Sequence, residues 1–177
     1  MATDVMLDLE TLGTKPGCVV LSIGACTFDQ EFKFYEKIDI NSSLSAGLKK
    51  DPSTEAWWMR QSPEARNEAF SGTKELVMVL GEFHDWFRMV VAKKGDTFIW
   101  GNGNDFDKPI LEAAFDAVEM KAPWKTYNGR CFRTLKNLFQ EVKAPEFLGE
   151  KHNALADAIY QSIHAVAILK YWKEKRL

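Results

Sequence analysis

The sequence lacks an excess of charge of either sign. Lys and Arg number 23 against 25 Asp and Glu, which leaves a formal net charge of −2 at pH 7. Such a chain does not hold polyanions non-specifically, as a histone-like protein does through its basic excess. Any nucleic-acid function must therefore come from a local site. The acidic, aromatic-poor composition of disordered proteins is also missing, because 46% of the residues are hydrophobic and 12% aromatic.

Membrane segments and secretion signals are lacking as well. No apolar run approaches the roughly 20 residues that span a bilayer, and the first ten residues, MATDVMLDLE, do not form a signal peptide. Cysteine is scarce, with three residues. Cys18 and Cys26 would lie about 26 Å apart along an extended strand, too far for a disulfide. We therefore expect reduced thiols, no membrane partner and a cytoplasmic location.

No repeat, low-complexity tract or flexible linker divides the chain. A length of 177 residues predicts one domain spanning residues 1–177. The segment at about 41–72 is more polar than its surroundings and carries Pro52 and Pro63. We interpret it as a helical insertion on that domain.

Hydrophobic periodicity predicts an α/β fold. Three strands at residues 4–9, 19–28 and 31–40 read as an antiparallel meander, and two more are expected at 97–100 and near 125–127. Helices are predicted from a cap at Ser53 or Thr54, and over residues 73–92, 107–118, 132–142 and 153–172. Antiparallel strands followed by alternating helices and strands predict a mixed sheet flanked by helices.

Two acidic residues end the first predicted strand. Asp8 and Glu10 point to the same face because alternate residues of a strand share a face, while Leu9 points to the other layer. Two carboxylates on one face of a central strand are unfavourable to bury without a countercharge. A divalent cation would supply that charge, and Mg²⁺ and Mn²⁺ favour oxygen ligands. A solvated strand end is the alternative interpretation.

The segment Trp-Gly-Asn-Gly-Asn-Asp-Phe-Asp, residues 100–107, joins the fourth strand to a helix. Asp107 meets the start of that helix, where it could cap the helix, bind a cation, or do both. Asp105 competes with it as a ligand. We prefer Asp107 because it lies at the junction, beside Phe106, which can anchor the turn.

The third feature is the segment from His152 to Asp157. Asn153 is a candidate cap for the last helix, which would leave His152 on the preceding turn. Histidine is suited to accept a proton near neutral pH. Asp157 would lie near the start of the helix, where it could bind a cation or merely offset the helix dipole.

These three segments, in this order, resemble the motifs of the DEDD exonucleases, the proofreading-type (DnaQ-like) 3′→5′ exonucleases of the ribonuclease H-like superfamily. Asp8-x-Glu10 is similar to the first motif, Phe106-Asp107 to the second, and His152-x-Ala-Leu-x-Asp157 to the third. Histidine in the last motif indicates the DEDDh branch. The Trp-Gly-Asn-Gly start of the second motif resembles a small bacterial and phage subgroup, which includes phage T4-type single-strand exonucleases and a mycobacterial exoribonuclease.

The resemblance implies a ribonuclease H-like fold and a metal-dependent reaction. Two divalent ions, Mg²⁺ or Mn²⁺, would be held by Asp8, Glu10, Asp107 and Asp157, and His152 would act as general base. The substrate would be the 3′ end of single-stranded nucleic acid or a 3′ overhang, and the products nucleoside 5′-monophosphates. The related small exonucleases are often homodimers.

The resemblance also implies substrate contacts, which would come from Thr11, Leu12 and Phe106. Leu12 would pack against a base. Two other functions stay open from the sequence: a ribonuclease H-type endonuclease, and a non-catalytic domain that binds nucleic acid or a partner on a nuclease fold. The sequence does not distinguish DNA from RNA as substrate. It also leaves open whether any of the six tryptophans stacks on bases.

Overall fold

A five-stranded mixed sheet forms the centre of the computed structural model, which describes residues 3–149 and 152–175. Its order is β3-β2-β1-β4-β5, with β1–β2 and β2–β3 antiparallel and β1–β4 and β4–β5 parallel. The strands are β1 (Thr3–Thr11), β2 (Val20–Thr27), β3 (Lys33–Lys37), β4 (Thr97–Gly101) and β5 (Gly129–Cys131). The predicted α/β class, with three antiparallel strands followed by parallel ones, is confirmed.

Helices flank the sheet and connect its strands. Three short helices lie between β3 and the long helix α4, inside the polar segment at 41–72 or overlapping its start. The helices are α1 (Ile40–Ser45), α2 (Pro52–Trp58), α3 (Pro63–Phe70), α4 (Leu76–Lys94), α5 (Asp107–Ala117), α6 (Phe132–Leu138) and α7 (Ala154–Glu174).

Some predicted boundaries are wrong. The fifth strand lies at Gly129–Cys131, and part of the region predicted as strand begins a 3-10 turn, Thr126–Asn128. A three-residue strand that starts with glycine has too little alternation to show a period. Helix α2 is capped by Asp51, whose carboxylate accepts from the Ser53 backbone N–H at 2.8 Å, because Pro52 takes the first helical position.

The sheet separates two different layers. Val5, Leu7 and Leu9 of β1 face the larger apolar core, which α4 and α5 cover. Met6 of β1 faces a smaller cluster, which includes Trp100 and residues of α6 and α7. The same alternation directs Asp8 and Glu10 toward the α7 layer.

The sequence also predicts reduced thiols and no membrane-spanning segment. Cys18, Cys26 and Cys131 are all free, and the first two are buried. In the described part of the chain no helix is long and apolar enough to cross a membrane.

Candidate active site

Carboxylates from β1 and α7 converge at one end of the sheet. Oxygens of Asp8, Glu10 and Asp157 lie within 4.8 Å of one another. Glu10 is only 9% exposed, and Asp8 and Asp157 are half-buried. Gln161, one helical turn after Asp157, donates its side-chain N–H to Asp8 Oδ1 at 2.8 Å. This group is therefore a preformed set of hard oxygen donors, the type that Mg²⁺ and Mn²⁺ prefer.

A glycine allows α7 to come this close to the strands. Gly24 of β2 pairs with Asp8 across the antiparallel ladder. A Cβ placed on Gly24 would lie 2.1 Å from the backbone carbon of Ala154, in the first turn of α7. Asn153 caps that helix, as predicted, by accepting from the Ala156 N–H at 3.0 Å. The absence of a side chain at residue 24 thus places the helix start, and with it Asp157, beside Asp8.

Asp107 approaches the same cluster from β4 and α5. It is the first residue of α5 and only 3% exposed, whereas the cap position belongs to Phe106. The capping role considered for Asp107 is therefore wrong. Its carboxylate instead faces the backbone N–H groups of Leu9, Asn102 and Gly103. Asp105, the competing candidate, is exposed.

Burial raises the pKa values of all four carboxyl groups, and repulsion by the neighbouring carboxylates adds to the rise for Asp8 and Glu10. Burial raises the pKa of Glu10 to about 8, and the charges of Asp157 and Asp107 add to it. The pKa of Asp107 rises to about 7, again chiefly through burial. Burial and the Asp107, Glu10 and Asp157 charges raise the pKa of Asp8, and burial raises that of Asp157. Together the four groups form an electrostatically strained set that a cation would relieve.

His152 lies next to Asp157, just before α7. Its backbone N–H faces the Asp157 carboxylate. The residue has φ of +65°, a left-handed conformation that is unfavourable for a residue with a side chain. Its ring contacts Trp57 and Trp58 edge to face, at centroid distances of 5.1 and 5.8 Å. The turn that we predicted before the last helix is thus held against α2.

A polar network supports the turn that carries His152. Asn153 donates its side-chain N–H to Glu68 Oε1 at 3.1 Å. The same Glu68 carboxylate accepts from the Tyr35 hydroxyl at 2.5 Å and from Lys37 Nζ at 3.0 Å. The network links α3 and β3 to the start of α7, so several elements fix the position of His152.

A cleft of about 500 Å³ opens beside Glu10. This volume is typical of pockets for small ligands. Thr11 and Phe106, two of the predicted substrate contacts, line it together with residues of α2. The Thr11 hydroxyl donates to the Gly13 carbonyl at 2.6 Å, and the Thr11 carbonyl accepts from Trp58 Nε1 at 2.9 Å.

Leu12 does not line this cleft, which corrects our expectation that it packs against a base. Its side chain is fully buried and belongs to the core beneath α4 and α5. The physical reason is an irregularity in the β1–β2 ladder between Glu10 and Thr11. The irregularity interrupts the alternation that would otherwise place Leu12 on the face of Asp8 and Glu10.

Sequence reasoning did not identify several residues of the site. Gln161 binds Asp8, Gly24 admits α7, and Arg60 lines the cleft. Trp57, one of the tryptophans whose stacking the sequence left open, also lines the cleft and is 37% exposed. Trp58, its neighbour, is 1% exposed. A signal existed for Gln161, because residues four apart share a helix face and Asp157 was already a candidate. No comparable sequence signal distinguishes Gly24 from the other glycines.

Comparisons with known proteins identify the family and the fold of this chain. Residues 3–169 match the family model described as the 3'-5' exoribonuclease Rv2179c-like domain. An exodeoxyribonuclease of Enterobacteria phage T4 is 27% identical over 158 residues, covering 74% of this chain and 69% of the phage protein.

Two solved structures share the fold. The nuclease domain of 3'hExo, a DEDDh family member bound to rAMP, superposes with a TM-score of 0.62 at 14% identity. That match covers 96% of this chain and 92% of the other. The cell-death related nuclease 4 (CRN-4) matches with a TM-score of 0.50 at 12% identity, over 99% of this chain and 64% of the other. The sheet described above is therefore the ribonuclease H-like fold of DEDDh nucleases.

Proposed function

Because this chain belongs to the 3'-5' exoribonuclease Rv2179c-like domain family and is a 3′→5′ exonuclease, we propose that it removes nucleoside 5′-monophosphates from a single-stranded 3′ end or 3′ overhang. The relatives include both an exoribonuclease family and a phage exodeoxyribonuclease. An experiment must therefore determine whether the substrate is RNA or DNA. One observation carries the proposal: the convergence of the Asp8, Glu10 and Asp157 oxygens beside a cleft.

The acidic cluster fits divalent metal ions. Its donors are all carboxylate oxygens, and its pKa values are raised in a way that a bound cation would reverse. Asp8, Glu10, Asp107 and Asp157 would hold two Mg²⁺ or Mn²⁺ ions. Ions there would supply positive charge for the attacking and leaving oxygens of the phosphodiester. Gln161 keeps one Asp8 oxygen in place through its hydrogen bond of 2.8 Å.

His152 is the proposed general base. An imidazole nitrogen would accept the proton of the attacking water, because histidine titrates near neutral pH. The contacts of its ring with Trp57 and Trp58 orient it, and its backbone N–H faces the neighbouring Asp157 carboxylate. The left-handed backbone at His152 is a strained feature at a functional position.

The cleft is proposed to receive the terminal nucleotide. Thr11 and Phe106 border it near Glu10, and the half-exposed Trp57 offers an aromatic face on the α2 side. Aromatic faces bind bases of any sequence by stacking, which suits an exonuclease that removes successive nucleotides. Arg60, also in the lining, can attract a phosphate.

Digestion of matched oligonucleotides tests this function. DNA and RNA strands of one sequence, single-stranded or with a 3′ overhang, are incubated with Mg²⁺, Mn²⁺ or EDTA. We expect mononucleotides to appear from the 3′ end with either ion and not with EDTA. Circular strands should resist, and their cleavage would show an endonuclease instead.

Asp8→Asn provides the matched loss-of-function variant. It should lower activity at least about 10³-fold, because one ligand of the cluster loses its charge. Asp85→Asn is the control, since the Asp85 side chain on α4 is 87% exposed and far from the site in the fold. Full activity of Asp8→Asn on a labelled 3′ end would refute the proposed role of the cluster.

A further inference from the structure

A stretch of positive charge borders the loop at residues 102–106 on the side of β5 and α6. From residue 121 to residue 140 the chain has five basic residues and no acidic one. Two of these already have partners: Lys125 forms an ion pair with Asp96 at 3.0 Å, and the Arg130 guanidinium lies 4.0 Å from the Phe98 ring centroid. In a chain of net charge −2, such a one-sign segment is a local electrostatic feature.

Arg133 and Lys136, here called the α6 basic surface, lie three residues apart and therefore share a face of α6. Arg133 is exposed and Lys136 half-exposed. Both touch one residue of the loop after β4. The Arg133 backbone N–H donates to the Asn102 carbonyl at 3.0 Å, and Lys136 Nζ donates to Asn102 Oδ1 at 3.3 Å.

Asn102 connects this surface to the acidic cluster. Its backbone N–H faces the carboxylate of Asp107. One residue therefore separates the α6 basic surface from the proposed metal ligands. The loop has Phe106 on the cleft and Asn102 on α6, so the basic surface lies across the loop from the pocket for the terminal nucleotide.

A groove of about 350 Å³ lies beside the same helix. Trp100, Leu135 and Leu138 give it an apolar lining, and Leu138 is 71% exposed. Asn104 and Arg130 add polar groups from the loop and from β5. An apolar surface with cationic and amide groups at its margin matches the chemistry of a nucleotide, whose base stacks while its phosphate meets positive charge.

We propose that the α6 basic surface binds backbone phosphates of the substrate strand on the 5′ side of the scissile bond, and that the adjacent groove receives a base of that segment. The inference rests on the proposed function, because it takes the terminal nucleotide to occupy the cleft. It adds a second contact region and predicts that substrates longer than a dinucleotide bind more tightly. The charge complementarity is local, in agreement with the lack of a general basic excess.

Binding to 5′-labelled 12-mers of DNA and RNA tests the surface without hydrolysis. The protein carries Asp8→Asn, and anisotropy is measured from 50 to 200 mM KCl. Adding Arg133→Gln and Lys136→Gln should weaken binding about 10-fold at the lower salt. It should also reduce the slope of log K against log salt by about 1.4, since each phosphate contact on a single strand contributes about 0.7.

The matched control replaces Arg88 and Lys93 by glutamine. Both are exposed on α4, which covers the opposite layer of the sheet. This pair should leave affinity and slope within about 2-fold and 0.3 of the parent. Equal losses in the two double variants would overturn the proposal, because they would show a general charge effect. Unchanged binding in the α6 variant would overturn it too.

Chain-length dependence separates this inference from the proposed function. In the active protein, the α6 substitutions should lower kcat/KM on a 12-mer about 10-fold and on a dinucleotide less than about 2-fold, because the dinucleotide has no phosphate upstream of the scissile one. Equal loss on both substrates contradicts the α6 surface. If no substrate is hydrolysed while the anisotropy result holds, the proposed function fails and the surface stands as a strand-binding site.

Discussion

The two faces of strand β1 differ as sharply as any two regions of this molecule. Val5, Leu7 and Leu9 point into the large apolar core under α4 and α5, and none is more than 5% exposed. Asp8 and Glu10, which alternate with them, point to α7 and meet further carboxylates there. Adjacent residues of a single strand thus belong to two different environments, the apolar core and the acidic cluster.

The difference shows how the fold divides stability from chemistry. Burial of an aliphatic side chain on the core face contributes roughly 1.5–3 kcal/mol to folding. The carboxylates of the other face are unfavourable to bury when charged, and their raised pKa values record this. The apolar face therefore offsets the energetic cost of burying the acidic cluster.

The largest expected effect comes from breaking the apolar face. Leu7→Ala should lower the free energy of unfolding by about 2–5 kcal/mol, because a fully buried leucine leaves a cavity in a packed core. Activity per folded molecule should change less than about 3-fold, since Leu7 points away from the cluster. Denaturant unfolding and active-site titration measure the two quantities.

Asp8→Asn should show the reverse pattern, with activity lost and the metal-free protein as stable as the parent or more so. If Leu7→Ala abolished activity in fully folded protein, or Asp8→Asn destabilised the metal-free protein by several kcal/mol, the separation of the two faces would be refuted.

The acidic face should make the metal-free protein less stable as pH rises. Glu10 and Asp107 have folded-state pKa values of about 8 and 7, above their ordinary values of 4.5 and 3.8. A carboxyl group with a raised pKa stabilises the fold when protonated, so its contribution is complete below about pH 4 and lost as pH rises through 7–8. In EDTA we expect the free energy of unfolding to fall by several kcal/mol between pH 5 and 8.

Two controls test whether the acidic cluster causes that pH dependence. Glu10→Gln should remove part of the decline because residue 10 no longer ionises, and excess Mn²⁺ should restore stability at pH 8. A parent protein whose stability in EDTA stays flat or rises over this range would contradict the raised pKa values.

A substitution at Gly24 should disturb the close packing of helix α7 on strand β2. Gly24→Ala places a Cβ against the Ala154 backbone, which must move because it is not a flexible side chain. We expect a loss of about 1–3 kcal/mol in stability and a larger relative loss of activity, since α7 shifts with Asp157. Gly81→Ala is the control, because a Cβ on Gly81 meets nothing within 4 Å. Full activity of Gly24→Ala would show that α7 tolerates the shift.

The same comparison explains how much of the molecule could be predicted. Helices α4, α5 and α7 follow from periodicity, because one face of each is buried, and strands β1, β2 and β4 follow from their apolar runs. The acidic residues could be identified because their types and order carry chemistry. The prediction for Leu12 was wrong because the β1–β2 ladder is irregular between Glu10 and Thr11, and alternation alone does not reveal this irregularity.

Contacts between segments that are distant along the chain could not be predicted from the sequence. Gly24 becomes part of the site only when α7 packs on β2, and Trp57 only when α2 closes against the His152 turn. These positions arise from tertiary packing, for which a single sequence has no periodic signal. Their residue types are also common, so type alone gives no indication of a role.

The smallest predicted effect concerns Gln161, which connects helix α7 to the acidic face. It is 6% exposed, and its donation to Asp8 at 2.8 Å opposes the rise in the Asp8 pKa. Gln161→Leu removes this donor and keeps much of the volume. We expect Mn²⁺ affinity to fall about 10-fold, or about 1.4 kcal/mol, as is typical when a partner that orients a metal ligand is lost. Titration calorimetry measures the affinity directly.

A positioning role for Gln161 also predicts which kinetic constant changes. The reduction in kcat should exceed any change in KM for the nucleic acid, because Gln161 touches Asp8 and is not among the residues that line the cleft. Gln140→Leu is the matched control, since Gln140 is exposed and donates only to the nearby Asn137 carbonyl. If the two leucine variants bound Mn²⁺ equally well, the hydrogen bond to Asp8 would be structural alone, and the acidic face would owe its geometry to the backbone of β1 and α7.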